Sequence, residues 1–310
     1  MNKVIRIGTR QSELATWQAK QVASLLADHG IASELVFVKS EGDIDLKTPL
    51  YEMGVQGIFT RSLDIALLNN QVDIAVHSMK DVPTQLPKGI SQAAVLKRAS
   101  WKDLLVFKLD ASFMDHRFEN AVIATSSIRR RAQWLHYYPH HTLVNLRGNI
   151  NTRLAKVQEN DWQGAIFAAA GVDRINIRPE NSLELDWMLP APAQGAIMVV
   201  CRTEDEFSLE ASSKFNDGIT ALCTKIERDF LRRLMGGCST PIAGLAEHVG
   251  DNIVFKGNIL SVDGTRKAVV EHTTAISDAL ELGIVAANEI LENGGKEILQ
   301  QITKESQPAQ

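Results

Sequence analysis

The sequence predicts an α/β protein of two hinged lobes with mainly parallel sheets, followed by a smaller α+β domain. Three observations carry this reading. Short apolar runs alternate with helical-period segments, the alternation restarts once, and the chain beyond about residue 217 changes to strand-turn-strand patterning closed by a helix. A chain of 310 residues also exceeds the size at which one core keeps growing.

In the first lobe, Val4 to Gly8 reads as a strand and Glu13 to His29 as a helix. Leu14, Trp17, Val22, Leu25 and Leu26 recur at near-helical spacing, with Ser12 placed to cap the helix and Gly30 to end it. A strand at Glu34 to Val38, a helix at Phe59 to Asn69 and a strand at Asp73 to His77 continue the pattern of parallel strands covered by helices. The second lobe repeats it with a strand at Ala121 to Ala124, a helix from about Ile128, a strand at Thr142 to Leu146, a helix at Thr152 to Gln158 and a strand at Gly164 to Ala168. Lys97 to Lys102 reads as the crossing between lobes and the proline-containing Leu189 to Gly195 as the return, because proline stiffens a connection without continuing either element. A long helix at about Asp217 to Met235 stops at Gly236-Gly237. Strands around Ile253 to Leu260 and Lys267 to His272 flank an Asp263-Gly264 turn, and a helix at Ser277 to Asn293 closes the third domain. The polar tail Lys304 to Gln310 is expected to fray. The expected division is residues 1–97 with 195–215, residues 101–192, and residues 217–310.

Apolar residues make up 45% and charged residues 23%, an ordinary globular balance that excludes fibrous and disordered classes. A net charge of -4 argues against a surface built to neutralise nucleic-acid phosphates, so charge has to be read locally. Cys201, Cys223 and Cys238 are an odd number at irregular spacing, which suits a reducing compartment better than a disulfide framework. The N-terminus lacks the apolar run of a signal peptide, and no run approaches the roughly 18 residues of a membrane span. A cytoplasmic protein without a membrane partner is therefore expected.

The strand Asp73 to His77 runs into Ser78, Met79, Lys80, Asp81, Val82 and Pro83. In an open α/β sheet the carboxyl ends of strands are where ligands bind, although the same residues would also serve as a surface turn with a local ion pair. Thr125, Ser126 and Ser127, followed by Arg129, Arg130 and Arg131, place hydroxyls, helix N-terminal amides and guanidinium groups at a second such end, the makings of a carboxylate or phosphate cradle. Arg147, Arg153, Arg174 and Arg10 occupy similar positions, so the ligand should carry several negative charges, unless these are ordinary solvated side chains. Cys238 follows two glycines and is the candidate working thiol, or else a small residue buried in a tight turn; Cys201 and Cys223 lie inside apolar runs. His136, His140 and His141 are read as surface residues and not as metal ligands, since Pro139 breaks the helix that would align them. Asp43 and Asp45 lack the other ligands of a calcium loop, and no phosphate-binding glycine motif occurs.

Five segments together resemble the porphobilinogen deaminase family: G-T-R-Q-S at Gly8 to Ser12, H-S-M-K-D-V-P at His77 to Pro83, T-S-S-I-R-R at Thr125 to Arg130, L-R-G-N-I-N-T-R at Leu146 to Arg153, and G-G-C at Gly236 to Cys238. The resemblance implies head-to-tail condensation of four porphobilinogen molecules with loss of ammonia, and hydrolytic release of hydroxymethylbilane to the next enzyme of tetrapyrrole biosynthesis. It implies a dipyrromethane cofactor held through a thioether to Cys238, no metal, and a monomer. By the same resemblance Lys80, Thr125, Ser127, Arg129, Arg130, Arg147 and Arg153 hold the carboxylates of primer and growing chain. Arg10, Ser12, Gln18 and Arg174 face incoming substrate, also held by Arg147 and Arg153, and Phe59 packs beside the rings. Asp81 would assist departure of ammonia, stabilise the cationic azafulvene and help remove the proton after carbon-carbon bond formation. Two departures stand out: Gln56, where members commonly have lysine, and Met235, where they commonly have glutamate.

Two other classes fit parts of the pattern. Hinged lobes of the periplasmic-binding-protein type would explain the architecture and the arginines without catalysis, against which stand the missing export signal and Cys238. A nucleic-acid contact at Ser126 to Arg131 is opposed by the acidic net charge and the few interleaved aromatics.

Overall fold

The computed structural model describes residues 3–40, 60–115, 119–234 and 240–305. In the first lobe β1 (Ile5–Thr9), β2 (Ser33–Phe37), β3 (Ile74–Ser78) and β4 (Ile90–Val95) are joined by β10 (Ile197–Arg202) in the order β2-β1-β3-β10-β4. Helices α1 (Glu13–Asp28) and α2 (Arg61–Leu68) cover this sheet. The second lobe contains β5 (Asp103–Phe107), β6 (Val122–Ala124), β7 (Thr142–Val144), β8 (Gly164–Ala168) and β9 (Ser182–Glu184) in the order β7-β6-β8-β5-β9. Its helices are α3 (Ile128–Tyr137), α4 (Ile150–Glu159) and α5 (Ala169–Arg174).

Four strands of each sheet point the same way, as expected, but one inner strand runs against them. β10 is antiparallel to β3 and β4, and β5 is antiparallel to β8 and β9. Both reversed strands are the ones the chain enters straight from a crossing. Ile197, the first residue of β10, lies opposite Ser78 at the end of β3, and Asp103, the first of β5, lies opposite Ala168 at the end of β8. A strand that starts where its neighbours end has to run away from the cleft.

The element boundaries follow local chemistry. Ser12 caps α1 by accepting from the Ala15 amide at 3.3 Å, and the helix buries Gln18, Ala19, Val22 and Leu26 against Ile5, Ile7, Ile74 and Val199. Asn149 caps α4 in the same manner from one residue before Ile150, two residues earlier than the sequence pattern predicts.

The chain then forms α6 (Glu206–Ser213) and α7 (Gly218–Arg233), followed by an antiparallel sheet of β11 (Ile242–Val249), β12 (Asn252–Leu260) and β13 (Lys267–Ala275). Phe230 of α7 meets Phe255 edge-on at 5.0 Å inside a core that includes Ile226, Ile242, Ile259 and Ile290. The single closing helix expected at Ser277 to Asn293 is corrected by the structure. A 3-10 turn at Ile276–Glu281 leads into α8 (Leu282–Ile290), the backbone leaves helical geometry at Asn293 and Gly294, and α9 (Lys296–Glu305) follows. Of the tail expected to fray, Lys304 and Glu305 close α9, and Ser306 to Gln310 lie outside the described residues. The helix is held by Ile298 and Ile302, one turn apart and buried in the domain core.

The two crossings run side by side, with the Ala99 amide donating to the Gly195 carbonyl at 3.1 Å. Gly195 has φ +86°, and a Cβ there would sit 2.6 Å from the Ser100 carbonyl oxygen, so only glycine keeps the contact. Glu227 of α7, fully buried, ties both crossings to the third domain. Its carboxylate accepts from Arg98 Nη1 at 2.5 Å and Nη2 at 3.0 Å, from the Ala193 amide at 2.6 Å and from the Ala246 amide at 2.8 Å. Glu227→Ala is therefore expected to lose about 3–5 kcal/mol of folding stability, because it strands the mostly covered Arg98 charge together with two amides. Urea denaturation checks this, and a loss below about 1 kcal/mol would contradict the clamp.

The third domain also meets the second lobe. Its β12-β13 turn presses Gly264 (φ +75°) onto α3, where a Cβ would come within 2.6 Å of the Ala132 carbonyl and the His136 amide; His136 Nδ1 donates to the Gly264 carbonyl at 2.8 Å.

Candidate active site

The end of β3 continues into a single 3-10 turn, Met79–Asp81, which turns Lys80 and Asp81 toward the other lobe. Lys80 opens to the cleft with protein on its remaining sides. Burial, reinforced by Arg130, pushes its ammonium down to about 8 against the pull of Asp81 and Asp103, while Nζ donates to Gln194 Oε1 at 3.2 Å.

Across the cleft, Thr125 and Ser127 lie at the start of α3. Thr125 Oγ1 accepts from the Ser127 amide and Ser127 Oγ caps the helix at the Arg130 amide. Ser126 is used differently: its hydroxyl both donates to the Leu146 carbonyl and accepts from the Leu146 amide, fastening this turn to the segment that carries Arg147. Arg129 and Arg130 are almost fully buried and share one carboxylate. Arg129 Nη1 is 2.8 Å from Asp103 Oδ2, and Arg130 Nη2 is 2.7 Å from Asp103 Oδ1. Burial alone would raise the Asp103 carboxyl, but the two guanidinium groups hold it well below the usual carboxylate range. Arg131 points elsewhere, to the Leu143 carbonyl.

Arg153 Nε donates to the Gly148 carbonyl at 2.7 Å. Burial pushes this guanidinium down to about 10, Arg130 and Arg147 add to the effect, and Asp81 opposes it. Asp81 on the first lobe therefore acts electrostatically on Lys80 beside it and on Arg153 opposite it. The structure brings together Lys80, Asp81, Arg130, Arg147 and Arg153, with Arg129 close enough to act on Lys80.

A cavity of about 80 Å³ adjoins this centre, lined by Arg10, Ser12, Gln18, Thr60, His77 and Asp81 among others. Gln18 Nε2 donates to Ser78 Oγ at 2.9 Å. Arg174 sits at the lobe junction, where its guanidinium lies 5.8 Å from the centre of the Trp17 ring and donates to the Gly195 carbonyl at 2.7 Å; burial pushes it down to about 10. Phe59 and Cys238 lie outside the described residues, as do Gln56, Met235, Asp43 and Asp45.

The dipyrromethane group fits what is present. Its two rings carry acetate and propionate side chains, and Lys80, Arg129, Arg130, Arg147 and Arg153 outnumber the carboxylates of Asp81 and Asp103 that face them. Arg130 acts on both Lys80 and Arg153 and disfavours their charged forms, a crowding of positive charge that added carboxylates would relieve.

Residues 5–210 match the family described as "Porphobilinogen deaminase, dipyromethane cofactor binding domain", and residues 221–292 match "Porphobilinogen deaminase, C-terminal domain". The chain belongs to the porphobilinogen deaminase family. The porphobilinogen deaminase of Chlorobium phaeobacteroides (strain BS1) is 39% identical across 98% of this chain and 99% of its own. That of Geobacter sulfurreducens is 39% identical across 96% and 94% respectively. Among solved structures, the methionine binding protein MetQ aligns at a TM-score of 0.43 with 11% identity, covering 70% of this chain and 91% of its own. Membership of the porphobilinogen deaminase family makes the chain a transferase of tetrapyrrole biosynthesis that works with a dipyrromethane cofactor.

Several residues of this site were not singled out from the sequence. Asp103 is the shared partner of Arg129 and Arg130, and its signal is an acidic residue opening the otherwise apolar run D-L-L-V-F. Gln194, read only as part of the return crossing, is fully buried and donates to Asp103 Oδ1 at 2.9 Å while accepting from Lys80. His77 is buried beside Arg10, and burial pushes its imidazole down to about 4, so it is neutral at physiological pH. The expectation that His141 lies on the surface is corrected. It is buried, accepts from Trp134 Nε1 at 3.2 Å and stacks on Tyr138 at 4.8 Å, because a neutral imidazole fills an aromatic core once its ring nitrogen is bonded.

Proposed function

We propose that this chain condenses four porphobilinogen molecules head to tail on a dipyrromethane primer anchored at Cys238, and then releases hydroxymethylbilane by hydrolysis. The observation that carries this reading is the Asp81 carboxylate, not committed to a buried ion pair as Asp103 is, set among cationic side chains drawn from both lobes. Bound, the dipyrromethane supplies the nucleophilic pyrrole carbon on which the chain lengthens. Lys80, Thr125, Ser127, Arg129, Arg130, Arg147 and Arg153 hold carboxylates of primer and product. Arg129 and Arg130 do so while remaining on Asp103, which fixes their orientation. Arg10, Ser12, Gln18, Phe59 and Arg174 take the incoming substrate, with Arg147 and Arg153.

Asp81 accepts the pyrrole N–H of that substrate. As the carbon-nitrogen bond breaks, its electron pair leaves with ammonia and positive charge spreads over the pyrrole, where the carboxylate stabilises it. After the carbon-carbon bond forms, the displaced ring proton passes to the same carboxylate. Each cycle thus forms one carbon-carbon bond, releases one ammonia, and returns Asp81 to its starting state after the proton is lost to solvent; a single water ends the sequence. Cys201 and Cys223 are poor anchors, since both are buried and their thiols are pushed up to about 11. We further propose the three-domain division at residues 1–97 with 195–215, 101–192 and 217–310, and a cytoplasmic monomer that passes its product to the next enzyme. Among the described residues no helix is long and apolar enough to cross a membrane.

Intact-mass measurement during turnover tests the reading. The holoenzyme should show a ladder of up to four substrate increments, with one ammonia released per porphobilinogen consumed. In Arg147→Leu the ladder should stall at short adducts and elongation slow by about tenfold or more, because a substrate carboxylate is left unpaired. A protein that binds porphobilinogen with neither increments nor ammonia would be the non-catalytic two-lobe binder instead.

A further inference from the structure

The turn that carries Lys80 and Asp81 has little of its own to hold it. One internal bond closes it, from the Val82 amide to the Met79 carbonyl at 3.1 Å, and the next residue, Pro83, has no amide hydrogen to add a second. Behind it lies a cavity of about 440 Å³, lined by Met79, Thr84, Leu86 and residues of α7. Arg228 of α7 reaches across this boundary from the third domain. Its Nη1 donates to the Val82 carbonyl at 2.9 Å and approaches the Met79 carbonyl at 3.4 Å, while Nη2 donates to the Pro83 carbonyl at 2.6 Å.

These three carbonyls bracket Lys80 and Asp81 on both sides. The side chain is only 9% exposed, and the carboxylate next to it in sequence, Asp229, is engaged by Lys225 at 2.5 Å and Arg232 at 2.8 Å. A buried guanidinium committed to backbone carbonyls, when a carboxylate is adjacent, fixes a shape that an ion pair would not. Its planar fork matches the carbonyls of three peptide units, which a single ammonium cannot do. One residue earlier on the same helix, Glu227 holds the crossings, so α7 fixes the hinge and the turn together.

We propose that Arg228 is a positioning residue for the reaction, holding the Asp81 carboxylate at the height from which it meets the pyrrole N–H. The proposal rests on the reading of Asp81 given above. A displacement of about 1 Å at a reacting group costs on the order of a hundredfold in rate, and a turn with one internal bond has that freedom once its clamp is removed.

The test is a double-mutant cycle on primer-loaded protein, reading the rate of first substrate addition by quenched intact mass, together with KM from ammonia release. Arg228→Gln should slow addition by about 10–100-fold with KM changed less than about twofold, and Arg228→Lys should recover part of the loss. In an Asp81→Asn background, Arg228→Gln should cost less than about threefold more, since its effect passes through the missing carboxylate. Two results would overturn the proposal: an unchanged rate in Arg228→Gln, or a loss as large in the Asp81→Asn background as in the native one, which marks a purely structural role. Should Arg228→Gln not fold, the same cycle is run with Arg228→Lys, for which the same two results count. If Asp81→Asn alone keeps the native rate, it is the reading of Asp81 that fails, and the cycle shows this separately.

Discussion

Asp81→Asn is expected to slow first addition by about a thousandfold while the primer stays attached. The amide keeps the shape of the carboxylate and one accepting oxygen, so the substrate still docks; what disappears is the negative charge that offsets the cation formed as ammonia leaves, and the base that takes the ring proton afterwards. Each of these contributions is commonly worth about a hundredfold or more. KM should move little, because the substrate carboxylates are held by arginines and not by Asp81. Rapid-quench mass spectrometry of the loaded protein measures the effect. A native rate in this variant would remove Asp81 from the chemistry and leave the cluster around it a binding site.

Cys238→Ser should yield protein without a covalent primer and reduce turnover to the assay background. The serine hydroxyl ionises far less readily than a thiol and forms no thioether under the same conditions. Cys201→Ala and Cys223→Ala should both keep the primer, since those thiols are buried and their ionisation is disfavoured. Denatured intact mass distinguishes the three variants directly. The primer-free protein should also melt lower, because a ligand that bridges cationic groups of both lobes stabilises only the folded state. A primer found on the serine variant, or absent from either alanine variant, places the anchor elsewhere.

Much of the architecture was legible because helices and their caps are local. Ser12 and the stripe Val22-Leu26 specify α1 within a residue of its ends, and the carboxyl ends of β3 and β6 mark the site. Among the elements that were not read, which also include β4, β5, β9, β11 and α6, two show why. β10, I-M-V-V-C-R, is buried over most of its length and shows no alternation, so periodicity says nothing of its direction; its reversal depends on where the crossing delivers the chain. The break at Asn293-Gly294 hid α9, which is short and brings only Ile298, Leu299 and Ile302 to the core.

The site divides in the same way. Lys80, Arg147 and Arg153 follow strands or open helices, and their positions announce them. That Arg129 and Arg130 share Asp103 depends on a pairing across β5 and β8 that no spacing encodes, and Arg228 contacts a turn some 145 positions away.

The docking of Gly264 onto α3 bears on how the cleft widens to admit a lengthening product. The second lobe is attached at the paired crossings and again at this hairpin tip, well separated along the chain, while Asn151 Nδ2 donating to Glu13 at 2.8 Å and Arg174 beside Trp17 touch the first lobe across the cleft. A rigid body pinned at two points retains one rotation, about the line that joins them. Rotation about that line is the movement that keeps both attachments, and what it alters is the set of direct contacts between the lobes, Asn151 with Glu13 and Arg174 with Trp17.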